Sequence, residues 1–182
     1  LIGLAKKKPG ELAYGTNGPG RLTHLTGELL QNQTGIKLLM VPYSGGTAQV
    51  LNDVMGGRIP IAIDAYSGLA GAIENKTVIP LAVAAPRRVP HFPNLPTVAE
   101  TIPGFEAGGW QGLLAPAGTA PAILEKLSGA MAKVCQSPEL AKKWRDYGGE
   151  LRCNTPAEFT AFIQADRAMW GKVIRAAGVR LD

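Results

Sequence analysis

Aromatic residues are few in this 182-residue chain, 6% in all, and histidine occurs only twice. The basic residues at 6–8, 87–88, 142–143 and 175–180 have no aromatics interleaved among them, and the net charge is only +5. A nucleic-acid surface needs bases clustered on one face, so these read as solvated charges and no nucleic-acid partner is expected. No apolar run approaches the ~20 residues of a membrane span. Residues 1–8 carry their charges after the apolar part and show no cleavage site, which is not the order of a signal peptide. They read instead as the end of a helix entered from an upstream segment. The two cysteines, Cys135 and Cys153, lack the C-x-x-C spacing of a metal site, and no metal or cofactor is expected. They can pair in an oxidising compartment or stand as buried thiols in a reducing one. Catalytic signatures are missing too: no G-x-S-x-G elbow, no H-E-x-x-H, no paired carboxylates. His24 falls in an amphipathic helix, where a hydrogen-bonded packing role is the simpler reading, and His91 lies in a proline-rich loop.

Glycine (23) and proline (14) are plentiful, and 46% hydrophobic content with 18% charge suits a globular α/β chain with many short turns. The most informative stretch is 14–64. There an apolar, strand-like run twice breaks into a glycine-rich loop and enters an amphipathic helix. Such helix starts present N–H groups without intrahelical partners at the positive end of the helix dipole, a setting that suits a carboxylate or phosphate. Neither loop has the spacing of a dinucleotide loop or the Lys-Ser/Thr of a P-loop. As plain turn and cap residues, the same glycines need no ligand at all.

In chain order, Leu22, Leu25, Leu29 and Leu30 recur at helical spacing, with Gly35 as a left-handed stop. Residues 36–41 read as a buried strand ended by Pro42. Ser44 reads as the N-cap of a helix whose apolar face is Val50, Leu51, Val54 and Met55, closed by Gly56-Gly57. Residues 59–63 are the next strand, with Asp64 at its end. A short helix over 67–74, a strand over 78–84 and an extended proline-rich loop over 86–96 follow. The capping box Thr97-Val98-Ala99-Glu100 opens a short helix, and 105–115 reads as a glycine-interrupted strand or linker crossing between lobes. From Thr119 the chain is helical. One helix starts near Pro121 with Ile123, Leu124, Leu127, Met131 and Val134 as its expected buried face. Another starts at Ser137-Pro138-Glu139 and ends at Gly148-Gly149. The longest is opened by the capping box Thr155-Pro156-Ala157-Glu158, carries Phe159, Phe162, Ile163, Trp170, Val173 and Ile174 as its stripe, and closes at Gly178. Alternating strands and helices up to Ala84 predict an α/β lobe with a mixed or parallel sheet. Ligands of such sheets bind beyond the strands' carboxyl ends, where loop 15–21, loop 44–47 and Asp64 all fall. Asp64 reads either as a cap on the following turn or as a ligand contact.

Several ordered motifs together resemble the solute receptors of tripartite tricarboxylate transporters, the Bug-type extracytoplasmic binding proteins. They are Tyr14-Gly15-Thr16 with His24-Leu25 and Gly27-Glu28-Leu29, Val41-Pro42-Tyr43-Ser44-Gly45-Gly46, and Gly56-Gly57 with Asp64. Leu81-Ala82-Val83, Pro93-Asn94-Leu95-Pro96-Thr97-Val98-Ala99-Glu100 and the run from Trp110 through Gly112 and Pro116 to Thr119 continue the match. So do Trp170-Gly171-Lys172-Val173-Ile174 and Ala176-Ala177-Gly178, which brings the resemblance to essentially the whole chain.

The resemblance implies a type II periplasmic-binding-protein-like fold, with one complete α/β lobe over 1–108. A crossing segment and the C-terminal helical part of the other lobe would occupy 109–182. It implies a periplasmic receptor, not an enzyme, closing on a small carboxylate or dicarboxylate solute and handing it to membrane components of the transporter. The ligand-binding residues it suggests are Gly15, Thr16, Asn17, Gly18, Arg21, Ser44, Gly45, Gly46, Thr47 and Asp64, with backbone N–H groups and ordered waters holding the carboxylate. Two departures stand out. Arg21 replaces the family's usual Ser or Thr, and the family's N-terminal portion has no counterpart here, so weak solute binding and self-association are expected of this chain alone. An effector-sensing domain of a transcription regulator shares the two-lobe fold, and an α/β enzyme with Asp64 as base is the third reading.

Overall fold

The computed structural model describes residues 1–90 and 92–180; the sequence reading of His91 lies outside them. The chain groups into two compact units, Leu1–Gly109 together with the chain from Met169 onward, and Trp110–Ala168.

The first unit is organised by three short parallel strands, β1 (Ala13–Thr16), β2 (Leu39–Pro42) and β3 (Ile61–Ala62), in the order β2-β1-β3. Tyr14 pairs with Met40 on one side and Ile61 on the other, and Gly15 with Val41 and Ala62. Helix α1 (Ile2–Lys7) precedes β1, α2 (Leu22–Thr34) joins β1 to β2, α3 (Thr47–Met55) joins β2 to β3, and α4 (Tyr66–Glu74) follows. The chain therefore leaves the central strand to one side and returns past it to the other. This reversal sets the loops after β1 and β3 next to each other at the carboxyl edge, the usual place for a ligand crevice.

Side chains alternate across β1, and close helix approach depends on glycine on both faces. A Cβ on Gly27 of α2 would sit 2.4 Å from the Tyr14 ring, and one on Gly15 only 2.6 Å from Val50 Cγ1 of α3. Helix α2 ends on Gly35 in the left-handed conformation, as its sequence predicts. Its Leu25 and Leu29 bury with Phe105, Ala107, Trp170 and Val173, while Ala5, Tyr14, Ile36 and Leu38 form a second cluster. Burial of Trp170 and Val173 here draws the last turns of the longest helix, α7 (Pro156–Ala177), into the first unit. The sequence division placed all of 109–182 together.

Three local expectations differ from what is observed. Among the described residues the strand over 78–84 reduces to one parallel bridge, Val83 to Thr97. The strand over 59–63 pairs only at Ile61 and Ala62, opposite a central strand just four residues long. Helix α3 is entered not at Ser44 but at Gly46, whose φ of 70° favours glycine. The capping box at Thr97 is present, with Thr97 and Glu100 exchanging hydrogen bonds around a 3-10 turn (Val98–Glu100).

The second unit holds α5 (Pro121–Val134), α6 (Pro138–Asp146) and the start of α7. Ser137 Oγ caps α6, and Thr155 and Glu158 form the capping box of α7. Trp110 Nε1 donates to Asp166 (3.1 Å), and its ring meets Phe159 and Phe162 edge-on. Cys135 and Cys153 are joined in a disulfide that brackets α6. The apolar residues of α5 are not buried as the periodicity predicts: Ile123 is 53% and Leu127 52% exposed, and Phe162 of α7 is also exposed. Periodicity identifies the face that needs cover but does not provide the cover.

Candidate functional site

At the carboxyl edge of the first unit, one carboxylate ties three loops together. Asp64, just past β3, accepts at Oδ2 from Asn17 Nδ2 (3.1 Å) and Thr47 Oγ1 (2.5 Å), and at Oδ1 from the Ala65 N–H (2.8 Å). Asn17 belongs to the β1–α2 loop, Thr47 opens α3, and Ala65 is the N-cap of α4. Each loop leaves a different strand, so only a side chain at the shared edge can reach all of them. Asp64 binds the turn that follows it, as the cap reading expects, and it also lies at the carboxyl edge of the sheet. Its donors, however, are the protein's own. Asn17 Oδ1 is buried without a donor among the described residues.

The loop between β1 and α2 is built differently from the expectation. Its backbone N–H groups, read in the sequence as open donors, already have acceptors. Gly18 N–H donates to Thr16 Oγ1 (3.2 Å), Asn17 N–H to Thr23 Oγ1 (3.1 Å) and Gly20 N–H to His24 Nδ1 (3.0 Å). The hydroxyls of Thr16 and Thr23, which flank the loop on either side, are the sequence signal that foretells this arrangement. Gly15 and Thr16 lie within β1, and Thr16 is fully buried; both shape the edge from beneath. Arg21 is the exposed N-cap of α2, and its guanidinium has no partner among the described residues.

The second loop is pinned at both ends. Gly45 N–H donates to Gln49 Oε1 (2.9 Å), and Tyr43 OH donates to Asp53 Oδ2 (2.7 Å). Arg58 clasps the same carboxylate, and its hydrogen bonds, with that of Tyr43, hold Asp53 below the usual carboxylate range. Ser44 is exposed, whereas Thr47 is turned toward Asp64. Gln49 and Val50 N–H groups point to Gly46 O, so in the first turn of α3 the N–H groups of Thr47 and Ala48 have no acceptor within the helix.

A polar network missed by the sequence reading lies under the first loop. Glu28 Oε1 is 3.6 Å from His24 Nε2 and accepts from Tyr14 OH (3.4 Å) and Gln31 Nε2 (2.8 Å). Gln31 Oε1 in turn accepts from the Leu38 N–H (2.7 Å). Burial, then the Glu28 charge and hydrogen bond, push the Tyr14 phenol well above its ordinary range. Among the described residues no group of His, Cys, Asp and Glu is placed to hold a metal ion, and no helix is long and apolar enough to cross a membrane.

A parallel sheet with loops joined at its carboxyl edge is an α/β architecture that takes ligands at that edge. Solved structures share it: the chain superimposes on an R. palustris protein solved with adipate at a TM-score of 0.84 and 34% identity. That match covers 98% of this chain and 60% of the other. For periplasmic binding protein BugD the TM-score is 0.77 at 28% identity, with 98% and 60% covered. Residues 1–179 match the tripartite tricarboxylate transporter family receptor, and the chain belongs to that family. It is 32% identical over 182 residues to Protein BugT of Bordetella pertussis, covering all of this chain and 56% of BugT. The chain thus spans between half and two thirds of the length of these proteins.

Proposed function

We propose that this chain supplies one wall of the solute site in a periplasmic receptor for small carboxylates, dicarboxylates among them. The receptor serves a tripartite tricarboxylate-type transporter and delivers its solute to that transporter's membrane components. The observation that carries the reading is the Asp64 junction, which fixes the loops after all three strands where α/β sheets take their ligands. The solute carboxylate is received not by the loop glycines but by the first-turn N–H groups of Thr47 and Ala48, at the positive end of α3. Asp64 itself stays off the solute's carboxylate and holds the donors in place. Binding, not catalysis, fits this arrangement, because a carboxylate engaged by three protein donors makes a poor general base. The disulfide supports an oxidising compartment.

Calorimetric titration of the intact gene product with adipate tests the reading. Saturable binding is expected, weakened tenfold or more by Thr47→Val, which removes the hydroxyl that α3 presents to Asp64. Absence of binding for adipate and for shorter dicarboxylates alike would overturn it.

A further inference from the structure

We infer that His24 is a positioning residue for the solute loop: its Nδ1, kept free of a proton, accepts the Gly20 N–H and so sets the path of residues 17–20. This rests on the binding site proposed above. His24 is 7% exposed, in the first turn of α2, and its ring lies between two fixed partners. On one side the backbone N–H of Gly20 points at Nδ1 at 3.0 Å, and a donor there requires a lone pair on that nitrogen. On the other side Nε2 faces Glu28 Oε1 at 3.6 Å, and a neutral ring whose Nδ1 accepts a hydrogen bond carries its proton on Nε2, toward that carboxylate. Glu28 is held by Tyr14 OH from β1 and by Gln31 Nε2, so the tautomer is anchored from the sheet. The consequence reaches the site through the backbone. Gly20 has φ 70° and Gly18 φ 111°, conformations in which few local contacts choose the chain's direction. The Gly20–His24 bond, with those of Asn17 to Thr23 and Gly18 to Thr16, makes that choice and aims the Asn17 amide at Asp64.

The two ring nitrogens can be tested separately. Asparagine carries an acceptor near the position of Nδ1, whereas glutamine carries its polar group near Nε2 and has none at the δ position. In His24→Asn the loop should hold and adipate affinity of the intact gene product should stay within about threefold of wild type. In His24→Gln, affinity should fall tenfold or more and the Gly20 amide should exchange at least tenfold faster, with unchanged circular dichroism. Nitrogen NMR of the wild-type ring should show the proton on Nε2. A proton on Nδ1, or Gly20 exchange and affinity equal in the two variants, would overturn the assignment. If wild type binds no carboxylate, the proposed function fails, while ring tautomer and Gly20 exchange still decide the role of His24.

Discussion

Asp64 shows how a single side chain can define a site without touching its ligand. Its oxygens are occupied by Asn17, Thr47 and Ala65, so the charge is spent inside the protein and the solute-facing donors lie beyond it. Arg21 is the contrasting case, an exposed cation at the head of α2 with no protein partner among the described residues. It is free to pair with a second carboxylate, and a charge-assisted pair of this sort contributes about 1.5–3 kcal/mol when desolvated. We therefore expect Arg21→Ser to weaken adipate binding while leaving hexanoate, its one-carboxylate counterpart, unchanged; calorimetry with both solutes checks this, and no loss for either solute would place the arginine in solvent. Away from the site, Glu100 offers a pH prediction. The Arg88 guanidinium, then the Thr97 N–H, hold its carboxyl down at about 2. A depressed carboxylate contributes stability that is present above its unfolded pKa, about 4.3, and lost as pH falls through the folded value. The Thr97 capping box should thus persist at pH 4 and open toward pH 2, followed by the Glu100 side-chain carbon shift; titration near 4 would contradict it.

At the scale of elements, the parts written in local chemistry were legible and the parts that need a partner were not. Gly35, Ser137 and the boxes at Thr97 and Thr155 mark their ends because cap and capped group lie within a few residues. The strand-like run 78–84 has the composition of a strand but, among the described residues, pairs only at Val83, and sequence cannot supply further neighbours. The placement of Asp64 at the carboxyl edge followed from strand–helix alternation alone. The closing of the first loop on Thr16, Thr23 and His24 did not, because a glycine-rich loop looks open until its flanking side chains are placed. Close packing of α3 on β1 at Gly15 also appears only in three dimensions. Gly15→Ala must displace Val50 and Ile59, each under 3 Å from the new methyl, and overpacking of this kind costs about 1–3 kcal/mol. Urea denaturation should show that loss, and a neutral substitution would mean the helix can move away freely.

For the whole molecule, the first unit carries two buried clusters, whereas α5 in the second exposes Ile123, Leu124, Leu127 and Met131. An apolar stripe of that size in water favours association. The 182-residue chain by itself should show concentration-dependent self-association by light scattering, reduced by Leu127→Lys; a strict monomer at all concentrations would show that the stripe is tolerated in water. Such a chain should also bind adipate weakly, because one wall leaves the other side of the solute to water, which screens the charges.

The central claim is that the solute sits on the carboxyl edge of the β2-β1-β3 sheet, over the loops that Asp64 joins. Backbone amide shift mapping of the intact gene product during titration with adipate tests it most directly. The account predicts the largest changes at Thr47 and Ala48, with Asn17, Arg21 and Asp64 next and saturation at one common concentration. Changes confined to the opposite edge, around Leu12, Leu38 and Ile59, would contradict it.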